Sequence, residues 1–400
     1  MELGMSRPWS WMRDWLSQRI EAKSEAPVPL VALEARRRPR WSARNATAFA
    51  REGFAANPVG YRCVRMIAEA AASVPLLLVE GRVEHAAHPL LDLLARPNVH
   101  ADGQGWSESL HGQLLVTGNA YAEAIALKGA VRELHVLRSD RMKVVPGPEG
   151  WPDAYEYSVS GRIVRYRQDR PGPVRPILHL RLFDPVSDHY GLSPFAPAAA
   201  SVDIHNEAAA WNKALLDNSA RPSGALVYRG PPGSENLTDG QFARLKRELE
   251  QTYQGSANAG RPLVLEGGLD WKEMALSPKD MEHIEAKHAA ARDIALAFGV
   301  PPMLLGIPGD NTYANYAEAN RTFWRQTILP LVNRTSRALA RWLAPAFGSD
   351  LRLTPDTDGI EALSTEREAL WSRVEKASFL TLNEKRQAIG YAPIPGGDHL

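Results

Sequence analysis

Apolar residues recur at helical spacing in two stretches of the C-terminal half. Met281, Ile284, His288, Ala291, Ala295 and Phe298 follow one another at three- and four-residue steps, the stripe of an amphipathic helix. Ser277-Pro278-Lys279-Asp280 supplies its start: a serine N-cap, proline at the first helical position, and an acid where the helix dipole favours negative charge. Gly299 and Pro301-Pro302 end it. Gly306-Ile-Pro-Gly-Asp-Asn-Thr312 has no burial pattern and reads as a polar loop. A second helical run follows from about Tyr316 to Trp342, roughly 40 Å long if straight. Pro330 lies inside that run and removes a backbone donor, which predicts a bend. Taken alone, these elements describe a bundle helix with a proline defect as well as anything more specialised.

Upstream, Pro58 stands at a helix N1 position, and Val59, Val64, Ile67, Ala68, Ala71 and Ala72 form an apolar face. Leu76 to Val79 predicts a strand leading to a Glu80-Gly81 turn, and Trp106, Leu110 and Leu114 keep helical spacing up to Val116. Between Val131 and Phe183 the pattern turns to strands: 134–137, 142–145, the Tyr155/Tyr157/Val159 alternation, 163–166 and 177–180, divided by Gly/Pro turns. Ser193 and Pro194 start an alanine-rich helix to about Ser219, broken by Arg221-Pro-Ser-Gly224. The insert 225–274 reads strand, loop, helix, strand. Thr238 and Gln241 predict a capping box there, and Phe242, Leu245, Leu249 and Tyr253 a stripe. After the long helical run, 350–353 suggests a strand, 359–377 a polar helix and 382–390 a short final one. Order is expected from about Asn57. Before it, Trp11 to Arg19 suits a short amphipathic helix packed on its own domain, or docked to a membrane or partner. The run Ala35–Trp41 suits a solvated basic arm or one touching DNA or an acidic neighbour.

The 400 residues allow a large core and two or three substructures. Charge is nearly balanced, 47 basic against 46 acidic, so the chain is not built to grip nucleic acid. One cysteine, Cys63, excludes intrachain disulfides and sits in an apolar helical run, as an inert thiol would. No apolar run reaches the roughly 18–20 residues that span a bilayer, and no signal peptide is evident. Catalytic patterns are weak. The pairs His85/His88 and His283/His288 are not a zinc-helix motif, and no phosphate-cradling Gly-Lys loop or nucleophile elbow is present. His135 and His179 alternate with strand neighbours and read as structural. Asp184, Asp188 and His189 form a generic loop composition, a poor candidate for a nuclease-like metal site.

Several strings in order resemble the HK97-type portal proteins of tailed phages. They are Asn57-Pro58 through Ser73-Val-Pro-Leu76, His88 to Asn98, Thr117-Gly-Asn-Ala-Tyr-Ala-Glu123, Gly191-Leu-Ser-Pro-Phe195, Gly299 to Ile307 with Asn315 to Asn320, and 382–398. The resemblance spans Asn57 to Asp398 and implies an α+β, mainly helical portal fold. In those terms 1–50 is a partly disordered arm, 51–192 the wing, 193–220 the first stem helix and 221–276 the clip. Stem helix two is 277–300, the tunnel loop and kinked tunnel helix 301–346, and the crown-side terminus 347–400. It implies a non-enzymatic homo-dodecameric ring, without cofactor or metal, at a capsid vertex of a virion or phage-like particle assembled in the bacterial cytoplasm. Its partners would be the major capsid protein, the large terminase, a head–tail adaptor and double-stranded DNA in the channel, with no membrane. Ile307, Gly309, Asp310, Asn311, Thr312 and Tyr313 would line the constriction. Lys279, Lys287 and Arg292 are candidates to face the stem channel. Gln241, Arg244, Arg247, Glu248 and Gln254 would meet adaptor and terminase, and Pro330 would kink the tunnel helix. A ring-forming head–tail connector and a packaging-associated metal-dependent nuclease remain alternatives.

Overall fold

The computed structural model describes residues 42–81, 83–217, 225–228, 238–252, 269–272, 279–308, 313–348, 350–391 and 394–399. The basic arm, the Trp11 segment, strand candidate 261–265 and the Ser277-Pro278 start lie outside them. Order begins earlier than the sequence suggested. Ser42 donates its N–H (3.0 Å) and hydroxyl (2.6 Å) to the Asp203 carboxylate, and Asn45 caps a helical piece over Ala46–Ala48. A π-helical turn, Phe49–Ala55, continues it, and Phe49 and Phe54 pack on the central core. Two aromatics in a stretch of mixed polarity gave no periodic signal, because a π turn does not repeat at 3.6 residues.

Helix α1, Pro58–Ser73, is capped by Asn57, whose side chain accepts from the N–H groups of Val59 and Gly60. Cys63, Val64, Ile67, Ala68 and Ala71 face inward, and burial pushes the Cys63 thiol up to about 12, leaving it unreactive. Strands β1 (Leu76–Glu80) and β2 (Val83–His85) form a hairpin. Helices α2 (Pro89–Ala95) and α3 (Gly103–Thr117) follow, the first capped by His88 Nδ1. Six strands come next: β3 (Asn119–Leu127), β4 (Ala130–Leu137), β5 (Met142–Pro146), β6 (Pro152–Val159), β7 (Arg162–Arg167) and β8 (Ile177–Arg181). They build two antiparallel sheets, ordered β4-β3-β8 and β5-β6-β7. Helix α4 (Phe195–Asp217) leads to β9 (Ala225–Tyr228), α5 (Asp239–Thr252) and β10 (Leu269–Lys272), with β9 and β10 paired antiparallel. Then come α6 (Lys279–Phe298), α7 (Tyr313–Phe323), α8 (Leu329–Phe347), β11 (Leu351–Pro355), α9 (Ser364–Glu375) and α10 (Leu382–Ala388).

β11 returns to pair with β1, Leu353 opposite Leu78, so the C-terminal part closes on the N-terminal part. One core gathers α1, α3, α4, α6 and the segment before α8; a second joins α3, β3, β4, β11 and α8. A third, smaller one lies around Tyr121, Tyr155 and Met142 between the two sheets.

Two histidines sit inside these layers. His111 on α3 is buried; its Nδ1 is 2.8 Å from the Ser107 carbonyl, and its Nε2 faces Thr335 Oγ1 of α8 at 3.2 Å. His179 on β8 stacks on Tyr121 at 4.2 Å and meets Asn119 Oδ1 at 3.0 Å. Burial pushes His111 down to about 4 and, reinforced by the Arg181 charge, His179 to about 3. The unfolded chain therefore takes these protons first as pH falls. Their contribution is full above about pH 6.5 and is lost below it, by about 2 kcal/mol per histidine at about pH 5. The urea midpoint should drop between about pH 7 and about pH 5. An unchanged midpoint over that range would contradict the burial of both rings.

Candidate functional site

The region of interest is the turn from α6 through the polar loop into α7 and α8. α6 lies along α4, joined by Ser201, whose hydroxyl donates to Asp293 at 3.0 Å. Of the predicted stripe on α6, Ala291, Ala295 and Phe298 are buried and His288 is half-buried. Ile284 is exposed among the described residues. Gly299 ends α6 with φ +67°, a conformation that strains any side chain, and the turn Pro302–Leu305 carries the chain back. Ile307 then packs on Ala291 and Ala295, and Arg292 donates to the Pro308 carbonyl at 2.5 Å. Both contacts pin the first foot of the loop to α6.

The helical run after the loop is tied back to α6 farther along. Between α7 and α8 the helix widens into a π turn, Trp324–Ile328, where the Leu329 N–H reaches back to the Trp324 carbonyl. Pro330 follows at the start of α8. A proline ring clashes with the carbonyl four residues before it and offers no N–H. A π turn moves that carbonyl aside, so the interruption the sequence assigned to Pro330 is spread over the five residues ahead of it. The turn also aims Thr327 at the α6 corner, where its hydroxyl donates to the Gly299 carbonyl at 2.6 Å. Pro330→Ala should let residue 330 bond the Gln326 carbonyl, close the π turn into α-helix, and pull Thr327 from Gly299. A crystal structure of the variant that keeps the π turn would show that packing, not proline, sets it.

Gly309, Asp310, Asn311 and Thr312 lie outside the described residues, as does the side chain of Tyr313, which opens α7. Lys279 opens α6 with its side chain likewise outside. Lys287 is half-buried and turned toward α4, where its charge, after burial, lowers the pKa of His205. Arg292 is occupied by Pro308. On α5, Gln241, Arg244 and Arg247 are exposed. Gln241 completes the capping pair: Oε1 accepts from the Thr238 N–H at 3.0 Å and its N–H reaches Thr238 Oγ1 at 3.4 Å. Phe242 of the predicted α5 stripe is exposed. The side chain of Glu248, and Gln254, fall outside the described residues. Among the described residues no three His, Cys, Asp or Glu are grouped to hold a metal, and no helix is long and apolar enough to cross a membrane. Sequence reading missed Thr327, because a threonine inside a helical run carries no sign of the corner it latches.

The chain is thus an α+β body that carries a helix pair and a long interrupted helix. The profile of the family described as phage portal protein matches residues 58–390. The chain belongs to that family. A protein of Rickettsia bellii with no assigned function is 40% identical over 351 residues, 87% of this chain and 90% of its own. The portal protein of Enterobacteria phage HK97 is 26% identical over 355 residues, 84% of this chain and 79% of its own. Among solved structures, a chain in the neck of a native gene transfer agent particle, computed with C12 symmetry, superposes with a TM-score of 0.69. It is 53% identical, over 88% of this chain and 95% of that one.

Proposed function

We propose that this chain is the portal subunit of a phage-like particle of the gene transfer agent kind. Twelve copies close a ring at one capsid vertex, and double-stranded DNA enters and leaves through it. The observation that carries this is the likeness over nearly the whole length to a chain in a twelvefold neck. The wing is 51–192, the stem helices 193–220 and 277–300, the clip 221–276, and the crown-side terminus 347–400. The polar loop Gly309–Thr312, whose first foot is held by Ile307 and Arg292, narrows the channel. Its polar and acidic tip touches DNA without holding it, since a cluster of cations would make translocation sticky and salt-sensitive. The exposed residues Gln241, Arg244 and Arg247 of the clip meet the large terminase during packaging and the head–tail adaptor afterwards, while the wing meets the major capsid protein. Electron cryomicroscopy of particles carrying a C-terminal tag on this chain should show tag density at one vertex, around a channel. Tag density spread over the shell, or missing from particles, would contradict the assignment.

A further inference from the structure

The β3–β4 hairpin ends in a run of exposed residues, Ile125 to Gly129. Ile125 is 41% and Leu127 63% exposed, and Lys128 turns the chain with φ +53°. Lys128 and Arg132 are the charged residues of 124–132, and neither has a carboxylate within 4.0 Å among the described residues. The flanking acids are engaged elsewhere, Glu123 by Tyr166 and Glu133 by His135 at 2.9 Å. The tip is therefore apolar and cationic. At the other end of β3, Asn119 lies opposite Arg181, on the edge of an open depression of about 740 Å³. Glu149, Asp184 and Asp188 line it, and none has a cation within 4.0 Å among the described residues. Its two arginines donate to backbone carbonyls, Arg181 to that of Asp188 and Arg334 to that of Arg181. With His179 neutral at pH 7, three carboxylates against two guanidiniums leave the depression a charge of −1. On its rim Trp151 is 74% and Phe183 78% exposed.

Each surface combines bare apolar side chains with charge, and the signs are opposite. The carboxylates of the depression would repel a phosphate backbone, and Leu127 at the tip would gain nothing from one, so both surfaces fit polypeptide. Asn119 and Leu127 stand eight residues apart on β3, about 26 Å, so a subunit cannot fill its own depression with its own tip. A head-to-tail ring closes by joining two different, complementary surfaces of neighbouring subunits. We infer that the β3–β4 tip of one copy, Leu127 with Lys128 and Arg132, seats beside Phe183 in the depression of the next copy. The inference rests on the portal reading.

The full chain carrying L127C/F183C tests the contact. A disulfide needs its Cα atoms within about 7 Å, so this pair cannot close inside one subunit. Mild oxidation of the purified ring should give a ladder of covalent multimers on a non-reducing gel, several-fold above either single variant. Cys63 is buried and stays out of the reaction. Native mass spectrometry should find K128E/R132E as folded subunits that assemble at least about tenfold more weakly than wild type. Adding E149K/D188K to that chain should restore most of the loss. A ring without a ladder, a K128E/R132E ring of wild-type stability, or no restoration would overturn the contact and leave the portal reading in place. A wild-type chain that forms no ring would remove both.

Discussion

Replacing Gly309–Thr312 by two glycines should leave ring assembly intact and lower the DNA packaged or retained per particle by about tenfold or more. Shortening a polar connection by two residues costs little, because closure entropy changes slowly with length. The first foot of this loop is fixed by Ile307 on Ala291 and Ala295 and by Arg292 on Pro308, and the helical run after it is tied to α6 by Thr327 on Gly299. The subunit fold therefore survives the change, and what is lost is the element proposed to contact the duplex. Particles would be counted by electron microscopy and their nuclease-protected DNA measured. Wild-type DNA content in the variant would remove the loop from the mechanism.

The second large effect concerns stability. Gly118 ends α3 with φ +78°, and a Cβ built there would lie 2.3 Å from the Gly191 carbonyl oxygen. Across this crossing, Asn119 Oδ1 accepts from the Gly191 N–H at 2.8 Å and Leu182 donates to the Gly118 carbonyl at 2.9 Å. Gly118→Val adds a strained backbone to a clash between main chains that cannot both give way. It should cost about 4 kcal/mol or more, enough to empty the soluble fraction. Thermal unfolding of whatever remains soluble would measure it. A variant with a wild-type unfolding midpoint would contradict the crossing.

That crossing also shows what could be read from the sequence and what could not. The strings Thr117–Glu123 and Gly191–Phe195 are far apart in the chain and were recognisable separately; only the fold shows that they touch. Local signals worked where they depend on neighbours. Asn57-Pro58 capped α1, Thr238 with Gln241 capped α5, and the Tyr155/Tyr157 alternation became β6. Signals failed where the cause is distant or aperiodic. The pairing of β11 with β1 joins residues about 275 positions apart and leaves no mark in either strand. The π turns at Phe49–Ala55 and Trp324–Ile328 break the period on which helix reading rests. Ile284 belongs by spacing to the apolar stripe of α6, yet it is exposed in a single chain. A stripe pattern reports burial without saying whether the same molecule provides the cover.

The account stands on the claim that copies of this chain surround a hole. Electron cryomicroscopy of the purified assembly measures that directly. The expected result is a closed ring of twelve subunits of 44.1 kDa with residues 309–312 of each pointing at the axis. A lone subunit, or a ring whose 309–312 segments point away from the axis, would contradict it.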